Sequence, residues 1–396
     1  MKTLTTLIMS LLVLTSLAQE TDFLYSRSIN QFGFDVFNTA GNSAKNVIFS
    51  PFSISSALSM TYCGAKVQTK KSMGEVLYLP DSVGLVSDSY SDFHRSLNSS
   101  FITDNIELFN ANSIWAEKSY PFSKEYIKLL NTKFNAPFNL VSFINEHEKC
   151  QKEINEWVEK KTKDKIKKLI PDNVLSANTR LVLTNAIYFY GGWSKAFDKE
   201  LTKKSNFFLS ETDSMETDFM NTNKTLYYFE NELFKAVEIP YKGNAAALYL
   251  FMPKNIGGFD NLQRTLDYKT YIEWTKNMQE AKVQLSIPKF EIESEFELSE
   301  VLSAMGMKIA FTNNANFTGM GKNDDLKIDK VIHKAKIGID EEGTEAAAAT
   351  AVVMVRKSSI INDLENVEFK ADRPFIFVLT ENQNKSILFM GKVVKP

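Results

Sequence analysis

Near its C-terminal end the chain carries an alternating segment, Val331-Ile332-His333-Lys334-Ala335-Lys336-Ile337-Gly338-Ile339-Asp340. Alternation with period two is the pattern of a strand. It runs directly into Glu341-Glu342-Gly343-Thr344-Glu345-Ala346-Ala347-Ala348-Ala349-Thr350-Ala351, whose alanines favour helix. The continuation, Val352-Val353-Met354-Val355, favours extended chain. The stretch closes on a dibasic Arg356-Lys357 and on Ser358-Ser359. A strand therefore leads through a glycine into a segment that local rules allow as helix, loop or strand. In extended form, Thr344, Ala346, Ala348, Thr350, Val352 and Met354 share one face and Glu345 lies on the other. Such a strand could enter an existing sheet without steric conflict at its leading end. The plain alternative is a surface helix or a flexible loop.

The rest of the chain must supply that sheet. With 396 residues, 44% of them hydrophobic, a large core is available. No Pro/Gly/Ser-rich linker, internal repeat or low-complexity tract divides the chain, so residues 19–396 read as one domain. Residues 1–18 read as a secretory signal peptide: Lys2, an apolar run from Leu7 to Leu14, then Ser16-Leu17-Ala18 before Gln19. The run is short for a bilayer span. A secreted, extracellular protein is expected. The net charge of −2 argues against general binding to nucleic acid or to a membrane surface. Secretion permits disulfides, and only Cys63 and Cys150 are present. Cys63 sits in an apolar helical pattern and is expected to be buried. Cys150 follows charged residues and is expected to be exposed, with no bridge between the two.

Helical spacing appears from Phe23 to Thr39 and strand character in Asn46-Val47-Ile48-Phe49. Ser50-Pro51 then reads as the cap and first turn of a helix running through Tyr62. Leu181 to Phe189 reads as a buried central strand interrupted by Asn185, whose amide must find partners. Ala246 to Phe251 and Val283 to Ile287 are further strands, and Leu298 to Met307 is helical up to Gly306. Strands and helices mix without regular alternation, which indicates α+β.

Catalytic constellations are missing. The three histidines are His94, His147 and His333, and no serine sits in a Gly-x-Ser-x-Gly elbow. Metal-ligand spacing of Cys and His is absent, and Gly319-Met320-Gly321-Lys322 lacks the rest of a phosphate loop. No enzyme, metal or cofactor is expected. His333 alternates with Val331, Ala335 and Ile337 and reads as a satisfied core histidine. Six lysines lie within nine positions, Lys160 to Lys168, but Glu153, Glu156, Glu159 and Asp164 interleave with them. That is a solvated helix face and helix end rather than a polyanion site. Sequons stand at Asn98, Asn223, Asn316 and Asn384.

The segment from Glu341 onward resembles the hinge and reactive loop of the serpins. Asp372-Arg373-Pro374-Phe375-Ile376-Phe377 and Leu388-Phe389-Met390-Gly391-Lys392-Val393-Val394-Lys395-Pro396 resemble the family's C-terminal strands. Asn46-Val47-Ile48-Phe49-Ser50-Pro51-Phe52-Ser53-Ile54 and Asn185-Ala186-Ile187-Tyr188-Phe189-Tyr190-Gly191-Gly192-Trp193 match two more blocks, in family order. The resemblance implies an α+β fold of three β-sheets with roughly eight or nine helices and an exposed reactive loop over about residues 341–362. It implies that Ser50, Ser53, Asn185 and His333 form a polar cluster beneath the opening of the main sheet, and that Trp193 stands where insertion begins. It also implies covalent trapping. A protease attacks a bait bond, and the loop then inserts as a new strand before the acyl-enzyme is released. The hinge is Glu341 through Thr350. In the common family arrangement the bond lies seventeen residues on, counting Glu341, which gives Lys357-Ser358, with Arg356-Lys357 as runner-up. A basic residue there implies a trypsin-like serine protease as partner. A monomer without a polyanion cofactor is expected. The competing reading is a non-inhibitory member acting as carrier, storage or docking protein.

Overall fold

A computed structural model describes residues 25–40, 44–103, 106–322, 326–344 and 364–396. The signal-peptide segment, hinge positions 345–350 and the candidate bonds around Arg356, Lys357 and Ser358 lie outside the described residues.

The predicted helix starts are set by local chemistry. Residues 25–40 form α1. In α2 (Pro51–Gly64) the Ser50 side chain accepts from the Ser53 N–H, and proline occupies the first turn, where its missing donor costs nothing. Every residue of α2 is buried, so this helix runs through the core rather than over it. Then come α3 (Val67–Leu77), α4 (Val83–Thr103), α5 (Lys124–Leu129), α6 (Phe143–Lys161), α7 (Phe259–Thr265), α8 (Tyr268–Lys276) and the short α9 (Ser299–Leu302). The expected helix at Leu298–Met307 is regular only over α9. Gly306, at φ 122°, breaks it where a side chain would be strained.

The strands are β1 (Val47–Phe49), β2 (Glu107–Glu117), β3 (Phe138–Val141), β4 (Leu181–Gly192), β5 (Lys203–Phe208), β6 (Ser214–Glu230), β7 (Phe234–Pro240) and β8 (Ala246–Pro253). They continue with β9 (Gln279–Pro288), β10 (Phe290–Glu297), β11 (Lys330–Ile339), β12 (Gly343–Thr344), β13 (Asn366–Lys370), β14 (Phe375–Glu381) and β15 (Ile387–Val393). Six of them form one sheet in the order β10-β11-β12-β4-β2-β3, with β11 also paired to β4. The other nine are joined by hydrogen bonds in a path β1-β15-β14-β8-β7-β6-β9-β13, with β5 on β6. The three expected sheets thus appear as two connected assemblies. The long strand β6 joins two of them: β5 and β9 pair along its length, and β7 takes only Tyr227–Glu230.

The main core lies between the two assemblies and around α2, and a smaller one lies beneath α6. Cys150 belongs to the smaller one and is 3% exposed, which corrects the expectation that it faces solvent. The reason is periodicity: Cys150, Ile154 and Val158 recur every fourth residue and form the buried stripe of α6. Cys63 is buried as expected, and both cysteines are free thiols. The lysine-rich end of α6 is exposed and locally paired, Lys163 with Glu107 at 2.7 Å and Lys168 with Asp172 at 2.8 Å.

Candidate functional site

Strands β4 and β11 meet along a seam. They run parallel, in register from Val182↔Lys330 to Tyr188↔Lys336. Beyond that point their ends are separated by β12, which is antiparallel to both: Thr344 pairs with Ile339 and Gly191, and Gly343 with Gly192. The start of the predicted hinge is therefore a two-residue wedge in the mouth of the seam. Its first position requires glycine. Gly343 has φ 153°, and a Cβ there would lie 2.2 Å from the Gly191 carbonyl oxygen. Thr344 is fully buried, with its hydroxyl 2.6 Å from that of Tyr241. Burial pushes the Tyr241 phenol well above its ordinary pKa, so it remains a neutral partner.

The root of the wedge is held by backbone and charge. Trp193 stacks on Tyr241, with ring centres 4.6 Å apart. Its indole N–H donates to the Asp340 carbonyl, and its backbone N–H to that of Glu342, both at 2.9 Å. The Phe197 N–H donates to the Glu341 carbonyl at 2.8 Å. Glu341 is nearly buried, yet its carboxylate meets Lys289 at 2.9 Å and the Thr202 hydroxyl at 2.8 Å. Burial alone would raise its pKa, but these donors more than offset that and hold it below the usual range. Glu342 pairs with the exposed Lys199 at 2.9 Å.

Further down the seam Ser50, Ser53, Asn185 and His333 do come together, all fully buried. His333 stands directly opposite Asn185 across the parallel ladder. The Ser50 N–H donates to His333 Nε2 at 3.0 Å. That leaves the proton on Nδ1, which donates to Asn185 Oδ1. Asn185 Nδ2 in turn donates to Ser53 Oγ at 2.7 Å and to Asn112 Oδ1 at 2.6 Å. The Ser53 hydroxyl reaches Asn112 Oδ1 at 2.9 Å and Asn110 Oδ1 at 3.1 Å, and Asn112 Nδ2 returns to the Ser53 carbonyl. One satisfied neutral network thus ties α2 to β2, β4 and β11. Burial pushes the His333 imidazole down to about 3, against a smaller opposing effect of Asn185. Asn110, Asn112, Tyr241, Thr202, Lys199 and Lys289 were not found by sequence reading. Only the alternation of asparagines around Ala111 in β2 hinted at the first two.

Trp193 belongs to the wedge, not to this network. Of the sequons, Asn98 on α4 and Asn223 on β6 are exposed. Asn316 is half-buried, its Oδ1 accepting from the Thr318 hydroxyl at 2.7 Å, and half-buried Asn384 donates to Ser96. Among the described residues no group of three or more His, Cys, Asp or Glu is arranged to hold a metal, and no helix is long and apolar enough to cross a membrane.

This architecture is shared with known proteins. The family model for "Serpin (serine protease inhibitor)" matches residues 27–396. Serpin B10 of Bos taurus is 36% identical over 403 residues, covering 95% of this chain and 100% of that protein. The native stressed conformation of Arabidopsis AtSerpin1 superposes with a TM-score of 0.84 at 28% identity, covering 96% of this chain and 98% of that one. Human thyroxine-binding globulin complexed with thyroxine gives 0.83 at 28%, covering 95% and 99%.

Proposed function

The chain belongs to the serpin family, and we propose that it is a secreted inhibitor that traps a trypsin-like serine protease after attack at Lys357-Ser358. The family does not act by turnover of a substrate, and the chain is not an enzyme. The observation that carries the reading is the wedge, a strand already begun between β4 and β11. Extending it would exchange one parallel ladder for two antiparallel ones, which pair slightly better per residue. Each inserted residue would gain partners on both sides, so insertion runs downhill once the loop is cut.

The register favours the same reading. Continuing both pairings of Thr344, with Ile339 and with Gly191, brings Thr350 opposite His333 and Asn185 together. Thr350 shares the buried face of Thr344, and its hydroxyl is small enough to re-pair those two groups as the strands part. Ala346 and Ala348 precede it on that face and obstruct nothing. The neutral network is then the barrier that keeps the seam shut until cleavage.

Basic residues at Arg356 and Lys357 suit a specificity pocket bearing a carboxylate. Residues 1–18 would direct export, with Asn98 and Asn223 the sequons open to a glycan. The protein acts as a monomer in this reading. A second reading, a carrier, is favoured by the likeness to thyroxine-binding globulin, solved in complex with thyroxine. Incubation with trypsin followed by denaturing electrophoresis separates the two. The inhibitor gives a denaturant-stable complex and a released peptide beginning at Ser358. A peptide beginning at Lys357 moves the bond to Arg356 and keeps the mechanism. Cleavage without a complex supports the carrier.

A further inference from the structure

A groove of about 730 Å³ lies where the end of α2, one face of α3 and residues 78–81 meet, and it shares no residue with the seam. That volume is in the range of small-molecule sites. Its walls are preformed. The Tyr62 hydroxyl donates to the Pro80 carbonyl at 2.8 Å, which fixes that ring. Tyr78, 41% exposed, is pinned by a hydrogen bond from its hydroxyl to Asp35 Oδ2 at 2.6 Å. Gly74 keeps the floor open, since a Cβ there would lie 3.3 Å from the Tyr62 ring. At the rim Val67 is 77% exposed and has φ 48°, a region that a β-branched residue avoids. The backbone thus holds an apolar side chain in water at a conformational cost, as chains do where a ligand is received.

Charge selects the occupant. Lys66, Lys70 and Lys71 line the groove against Glu75 and Asp81, which leaves one positive charge. Lys70 is already engaged: it meets Asp81 at 2.7 Å and lies over the Tyr62 ring, 5.6 Å from the centroid. Lys71 reaches the exposed Glu75 only at 4.0 Å. Lys66 is exposed and has no carboxylate partner among the described residues. We propose that this groove binds a small amphipathic monoanion, an aromatic carboxylate or sulfate, with its rings against Val67, Tyr62 and Tyr78 and its anion on Lys66. A compact ammonium serves such an anion as a point charge, and the weakly paired Lys71 adds to the attraction. A dianion would meet the repulsion of Glu75 and Asp81, and a neutral ring would leave the Lys66 charge unused. The inference stands whether the protein inhibits or carries.

The test titrates the intact protein with 8-anilinonaphthalene-1-sulfonate, followed by fluorescence and calorimetry, and with N-phenyl-1-naphthylamine, the same rings without the sulfonate. Saturable binding of a single equivalent of the sulfonate is expected, and much weaker binding of the neutral probe. Lys66→Gln should weaken the sulfonate several-fold and leave the neutral probe unchanged. Val67→Gly removes the apolar rim and supplies a residue at ease with positive φ. It should weaken both probes several-fold while the thermal midpoint stays the same or rises, a pairing that a merely structural role would not give. No saturable binding, or unchanged affinity in both Lys66→Gln and Val67→Gly, overturns the site. Equal affinity for the two probes overturns the anion preference.

Discussion

The seam between β4 and β11 carries two polar clusters built on opposite principles. The lower one, around Asn185 and His333, is neutral, buried and fully hydrogen-bonded. The upper one, around Glu341 and Glu342, is ionic and reaches solvent through Lys199 and Lys289. A buried neutral network is costly to open unless new partners arrive, since each orphaned group retains its desolvation cost. An ion pair at the surface can exchange its partner for water at little cost. In the proposed insertion, the exposed Glu342–Lys199 pair would release the hinge at little cost, while the lower cluster would set the barrier to going further.

The largest expected effect breaks the lower cluster from the loop's side. Thr350→Glu puts a long charged side chain where the proposed insertion would bring a small hydroxyl between His333 and Asn185. The protein should still be cut by trypsin and should form no stable complex on denaturing gels. Next, Asn185→Leu leaves the His333 Nδ1–H, Ser53 and Asn112 without their shared partner. It should lower the unfolding free energy by about 3–5 kcal/mol, read from the denaturant midpoint at unchanged slope.

Acidification sharpens the contrast without mutation. Folded His333 titrates at about 3, below its ordinary value of 6.5, so the folded state binds fewer protons than the unfolded one between those values. Its contribution is fully present above about pH 6.5 and is lost as the pH falls toward 3, by about 2–3 kcal/mol at pH 4.5. His333→Gln should flatten that part of the stability–pH curve. The smallest effects lie in the upper cluster. Lys289→Ala strands a nearly buried carboxylate and should cost about 1–2 kcal/mol. Lys199→Ala removes an exposed pair and should leave the denaturant midpoint nearly unchanged. Equal costs for the two lysines would erase the distinction between a braced and a solvated glutamate.

Much of this was legible in the sequence because it is local. Ser50-Pro51 states a helix start, period-two alternation states β11 and places His333 on its buried face, and Gly343 marks the bend into the wedge. The burial of Cys150 was hidden because neighbouring charges drew attention from its four-residue spacing to Ile154. The braces of the wedge were illegible for a different reason. Lys289, Thr202 and Tyr241 meet Glu341 and Thr344 only through the sheet order, across segments with no shared pattern. Asn112 likewise reaches Asn185 only because β2 and β4 pair in that register.

The central claim is that β12 is the first turn of a zipper that runs on when the loop is cut. Its most direct measure is the thermal midpoint of the intact protein against the same protein nicked within residues 352–359 by limited proteolysis. Insertion predicts a rise of at least roughly 10 °C, what several kcal/mol of new pairing gives a large domain. A nicked protein that melts at the intact midpoint, or below it, would contradict the account.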